Sequence, residues 1–232
     1  MRVIAFRLAI LATAASVPAA SFAQTEQRTG SRVAVPSPAE IRERGTDEEK
    51  SLIVMREFAE CTYRNGRSAV ADALLQAPGD DVSALTKLAT SECLRSGELR
   101  FAPKLFRGAL FGELYRQRQA AGASDWSLPT QPLDLAMVPT ADRPFDARLN
   151  WVMLTIADCM HQSHPAAVRA SVLEPAMSAG YETAFKTLLP DLGPCVPQGV
   201  TLKLNRMALE HAFGEYLYRT QSSSTLTSAG EL

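Results

Sequence analysis

The stretch IADCMHQSHPA (156–166) sets Cys159, His161 and His164 within six positions of one another, side-chain types that bind zinc or copper or carry thiol redox chemistry. The spacing speaks against a metal. Pro165, with Ser163 as the expected helix cap before it, breaks the helix between the two histidines, and structural zinc wants about four ligands. The remaining donors, His211 and Cys195, would have to arrive from distant elements. A thiol oxidoreductase is equally disfavoured, because no Cys-x-x-Cys pair holds two thiols close enough to exchange. No metal and no cofactor is therefore expected.

Paired carboxylates are the next candidates, since glycoside hydrolysis needs two of them at a defined separation. Glu60 and Asp158 each precede a cysteine by one residue, and Glu113 and Glu215 lie in long helical runs. The sequence cannot bring any two of them across a cleft, and exposed helix faces or local ion pairs account for them more simply. The tripeptides Leu114-Tyr115-Arg116 and Leu217-Tyr218-Arg219 offer an aromatic ring beside a planar cation, a combination suited to an interaction surface. An arginine complementing a helix dipole and a tyrosine with a wet hydroxyl is the plainer reading. Three histidines, no Gly-x-Ser-x-Gly elbow, no phosphate-binding glycine loop and no His-Glu-x-x-His leave no catalytic residue to nominate.

These residues recur along the chain. VMREFAECTYRNGRSAVADALL (54–75) aligns without gaps over VMLTIADCMHQSHPAAVRASVL (152–173), identical at seven of 22 positions. FRGALFGELYR (106–116) aligns over LEHAFGEYLYR (209–219), and Cys93 over Cys195. Two tandem copies of a roughly four-helix unit follow, 46–119 and 144–220. The periodicity in each is helical: Thr46 with Glu49 has capping-box spacing, and Leu52, Met55, Phe58, Ala59 and Thr62 recur at steps of three and four up to Asn65-Gly66. In the second copy Phe145, Leu149, Val152, Ile156 and Cys159 share one face after Pro144. Further helices are predicted near 68–77 and 164–174, 81–93 and 178–189, and 102–119 and 202–220, with Pro190, Gly193 and Pro194 closing the one at 178–189. No alternating β-branched run competes, so the fold class is all-α, packed as one helical body.

The copy arrangement makes Cys61 with Cys93 and Cys159 with Cys195 equivalent pairs, and an even cysteine count suits disulfides in an oxidising compartment. Each would close a loop of about 33 to 37 residues, adding roughly 3 to 4 kcal/mol by chain entropy. Residues 1–23 read as a signal peptide, with Arg2 and Arg7, the apolar run Leu8 to Val17 and a Ser21-Phe22-Ala23 cleavage pattern. The apolar run is shorter than the roughly 20 residues a membrane helix needs. Its removal leaves 22 Lys+Arg against 25 Asp+Glu, a net charge near −3 that makes nucleic acid an improbable partner. Residues 24–45 and 221–232 are polar tails expected to be disordered. The linker 120–143 holds Trp126, Leu133, Leu135, Met137 and Val138, which should pack across both copies.

The functional expectation is a non-catalytic periplasmic or secreted helical protein, an interaction or structural module with an unidentified protein or envelope component as partner. After signal removal no membrane span is expected. Two alternatives are a small envelope hydrolase using Glu113 and Glu215, and metal binding through His161, His164 and His211.

Overall fold

The structure is a computed structural model, and it describes residues 46–74, 83–94, 100–121, 133–136 and 145–227, with backbone alone for Glu49, Asp146 and 221–227. The signal peptide, the segment 24–45 and Trp126, Met137 and Val138 of the linker lie outside these residues. The described chain is helical, and among the described residues there is no strand. No helix among them is long and apolar enough to cross a membrane.

Helix α1 (Asp47–Asn65) begins directly after Thr46 and buries Leu52, Met55, Phe58, Ala59 and Thr62, the stripe that the three- and four-residue spacing predicts. Arg64 stands in its last turn, where a cation complements the helix dipole. A short α2 (Arg67–Leu74) follows Gly66. The helix predicted over 81–93 is instead α3 (Ser83–Leu88) and a separate 3-10 turn, Ser91–Cys93. The long α4 (Pro103–Ala121) opens on a proline, whose missing N–H costs nothing in a first turn.

Helix α5 (Phe145–Ser163) and α6 (Pro165–Leu173) are separated by a single residue, His164, which is the cap position of α6. Ser163 is therefore not the cap; its hydroxyl donates to the Cys159 carbonyl 3.2 Å away within α5. Phe145 does not share the buried face assigned to it: it is 66% exposed, with the Lys104 ammonium 6.0 Å from its ring centroid. Helix α7 (Ala179–Leu188) is capped by Ser178, whose Oγ accepts the Tyr181 N–H. Helix α7 ends at Leu188, just before Pro190 as predicted, and a 3-10 turn (Leu189–Asp191) and α8 (Leu192–Cys195) then carry the chain on to the cysteine. A proline in a first turn is compatible with that continuation. Helix α9 (Arg206–Thr227) starts where Asn205 Oδ1 accepts the Ala208 N–H at 2.8 Å. Its backbone runs seven residues beyond the predicted boundary at 220.

One contiguous apolar core draws on both halves, from Leu52 and Phe58 through Phe106 and Leu110 to Ile156, Phe185 and Leu217. Leu133 and Leu135 of the linker pack against it, and the Trp151 indole N–H donates to the Leu135 carbonyl. The tightest helix pair is α4 with α9. Cys61 is bonded to Cys93 and Cys159 to Cys195, with Cα atoms 5.4 and 5.6 Å apart. The first bridge ties the end of α1 to the 3-10 turn, the second the end of α5 to α8.

Candidate functional site

Glycines set the crossing of α4 and α9. A β-carbon on Gly108 would stand 2.4 Å from that of His211, and one on Gly214 would stand 2.7 Å from the Gly112 α-carbon. Only hydrogen fits at such contacts. The close approach brings polar residues of both helices into the interior, where each charge needs a partner.

Two clusters supply those partners. In the first, Arg56 on α1 donates from Nε to Glu210 Oε1 at 2.6 Å, from Nη1 to the Glu174 carbonyl at 2.6 Å and from Nη2 to the Ser171 carbonyl at 3.0 Å. Its guanidinium lies 5.3 Å from the Tyr181 ring centroid. Arg116 on α4 donates to Glu113 Oε2 at 3.0 Å and to the Val172 carbonyl at 3.2 Å, and stands 3.9 Å from Glu210 Oε1. Gln117 completes Glu113 with a 2.6 Å bond to Oε1. In the second cluster Glu215 on α9 takes Arg219 at 3.0 Å and Arg107 at 3.7 Å, while Arg107 also reaches the Leu74 carbonyl. The arginines thus fasten α1, α2, α4, α6 and α9 through carboxylates and carbonyls at helix ends.

Burial dominates the electrostatics. It lowers the Arg107 and Arg116 pKa values, opposed by their carboxylate partners. It raises Tyr181, as the Glu210 carboxylate also does, and pushes Tyr218 up to about 12. His211 is pushed down to about 3, by burial first and then by Arg56 and Arg116, so its imidazole is neutral. Both its ring nitrogens, like Glu210 Oε2 and Arg107 Nε, are buried without a hydrogen-bond partner among the described residues.

The sequence candidates fall in different places. Glu113 and Glu215 are core residues, their side chains 4% and 3% exposed, each beside a guanidinium. An acid–base pair has to meet substrate, and these two are sealed among helices. Tyr115, Tyr218 and Arg219, expected at a surface, are buried, and Arg116 is half-buried. The helix that carries each Leu-Tyr-Arg turns it inward at the α4–α9 crossing. Glu60 is exposed, 3.9 Å from Arg64, and Asp158 accepts the Tyr216 hydroxyl at 2.7 Å.

The histidines are dispersed. His161 lies against the Tyr216 ring, its pKa lowered by partial burial; His164 Nε2 is 2.7 Å from Asp191 Oδ2; and His211 is in the core. Among the described residues no three His, Cys, Asp or Glu side chains group as a metal requires.

Arg56, Arg107 and Glu210 are the residues that sequence reasoning missed. Arg56 sits four positions after Leu52 on the buried stripe of α1, and that register was the available signal. Comparison with protein-family models, curated proteins and solved structures finds no match to this chain.

Proposed function

We propose that the chain is an exported, non-catalytic helical protein, an interaction or structural module of the periplasm or the extracellular space, built from two tandem copies of a roughly four-helix unit. The observation that carries this reading is the use of its buried charges: Glu210 and Glu215 pair with Arg56 and Arg107 across helices and Glu113 braces Arg116 within α4, none presented to solvent. The duplication is supported by the two bridges, each from the end of the aligned first helix to the aligned later cysteine. Export is supported by the same bridges, which persist in oxidising compartments, and by the leader pattern of residues 1–23.

The test is the intact mass of protein recovered from its native host, recorded with and without reduction and thiol labelling. Loss of the first 23 residues with no label before reduction is expected. Free thiols in freshly isolated protein, or a retained leader, overturn export. A pull-down from envelope extract should enrich a reproducible partner. An envelope-substrate turnover abolished by Glu113→Gln or Glu215→Gln would replace the module with a hydrolase.

A further inference from the structure

The two disulfides are chemically unequal. Cys61, Cys93 and Cys159 are half-buried, so the first bridge has two partly exposed sulfur-bearing residues and the second one, Cys195 being buried at 7% exposure. The Asn65 side-chain amide donates to both sulfurs of the first bridge, at 3.7 Å to Cys61 Sγ and 3.5 Å to Cys93 Sγ. The position aligned with Asn65 is Ser163, whose hydroxyl goes to the Cys159 carbonyl and leaves the sulfurs of the second bridge alone.

The attached segments differ as well. The 3-10 turn Ser91–Cys93 has no buried residue. Among the described residues of 83–94 Leu85 is buried, while Ala84, Leu88, Ala89, Cys93 and Leu94 meet the core only partly buried, and partly exposed contacts open at lower cost than buried ones. Cys195 is itself buried: Leu188 is buried just upstream, Leu192 and Val196 pack on the core, and a hydrogen bond between His164 and Asp191 clasps the turn to the α5–α6 junction.

We propose that Cys61–Cys93 is a redox-operated latch, opened by a dithiol reductant ahead of Cys159–Cys195 and releasing the segment 83–94 from α1 while the helical body stays folded. In the first step a thiolate of the reductant attacks one sulfur of the bridge. A new S–S bond forms to the reductant, and the electron pair of the old bond leaves on the other cysteine as a thiolate. Asn65 donates to that thiolate whichever sulfur departs, and hydrogen bonding to the charged form makes it a better leaving group. The second thiol of the reductant, deprotonated, then displaces the remaining cysteine. The reductant ends as a disulfide, and both cysteines take protons from solvent, a two-electron, two-proton exchange. The inference stands on the bridge itself, whether or not the chain is exported.

The experiment treats the full oxidised chain with a dithiothreitol series at neutral pH, quenches with an alkylating reagent and maps the labelled cysteines by peptide mass, with helix content followed by circular dichroism. Cys61 and Cys93 should be labelled roughly tenfold faster than Cys159 and Cys195, with helix content nearly unchanged. Asn65→Ala should slow exchange at the first bridge severalfold and leave the second unchanged, and Asn65→Asp, which sets a carboxylate beside the departing thiolate, should slow it further. Equal rates at the two bridges, labelling that appears only with loss of helix, or a first-bridge rate indifferent to both Asn65 variants overturns the latch.

Discussion

The α-helical backbones carrying Gly108 and His211 pass so closely that a β-carbon on Gly108 would lie 2.4 Å from the His211 β-carbon and 3.2 Å from its α-carbon. Neither atom can swing aside as the end of a flexible side chain would, so the helices themselves must part. Gly108→Ala should cost about 1–3 kcal/mol, the range for overpacking a tight core. Gly193, whose β-carbon would meet nothing within 4 Å, is the matched control. Gly193→Ala should be neutral or slightly stabilising. Urea unfolding of the two variants checks the contrast, and equal effects would mean that the α4–α9 crossing relaxes freely.

His211 makes stability depend on pH. Its folded pKa is pushed down to about 3 by burial, Arg56 and Arg116, whereas an unfolded histidine titrates near 6.5. Between those values the unfolded chain binds the extra proton, so its stabilising contribution is complete above about pH 6.5 and is lost as pH falls toward 3. From pH 7 to pH 5 this residue alone should remove about 2 kcal/mol. His211→Leu should flatten that part of the profile. His161, also shifted down, acts in the same direction, so a His161→Gln background isolates the core residue. A variant as acid-sensitive as the parent in this window would refute the assignment.

Among the described residues Met177 is the non-glycine residue with a positive φ, 67°, in the loop between α6 and α7. Its side chain is not among those packed on the core. The left-handed backbone costs an L side chain about 1–2 kcal/mol, more than the added freedom of an unfolded glycine. Met177→Gly should therefore raise stability by about 0.5–1 kcal/mol, visible as a higher thermal midpoint. A lower midpoint would show that the methionine side chain contributes packing that outweighs its backbone.

Much of the scaffold was legible in the chain. Helix α1 was written in an apolar stripe that runs up to Asn65-Gly66, and the cysteine pairs followed from matching one half against the other. The misreadings have local causes. Ser163 and Pro165 resemble a cap and a first turn, but α5 extends through Ser163 and hands the cap position to His164. Pro190 does mark the end of α7; the continuation it hid is the 3-10 segment that follows at once, whose first turn tolerates its ring.

The polar core was harder to see. Tyr115 and Arg116 look like surface residues when taken one helix at a time. Their burial depends on how closely α4 and α9 approach, which the glycines decide only when the helices are placed together. One trace of it was present: Arg107 and Glu210 occupy aligned positions of opposite charge, Arg107 in the otherwise apolar run FRGALFG and Glu210 beside His211 in LEHAFG. A charge inside an apolar helix face calls for a partner from another helix. Nothing in one sequence says which helix supplies it.

The partner that Glu210 finds gives the sharpest test of how this core is held. Arg56 and Glu210 have side chains 11% and 3% exposed and meet at 2.6 Å, and Arg56 also serves the carbonyls of Ser171 and Glu174. Removing the arginine strands a buried carboxylate, with Arg116 3.9 Å away as its remaining cation, and leaves two carbonyls without this donor. Arg56→Met should cost about 3–5 kcal/mol. The double variant Arg56→Met, Glu210→Gln removes the stranded charge along with its partner and should cost clearly less than the sum of the single changes. A coupling of roughly 1–3 kcal/mol from the cycle is expected for groups in direct contact. If Arg56→Met costs under about 1 kcal/mol, the value typical of an exposed pair, water reaches the cluster and the charges are not what fastens α1 to α9.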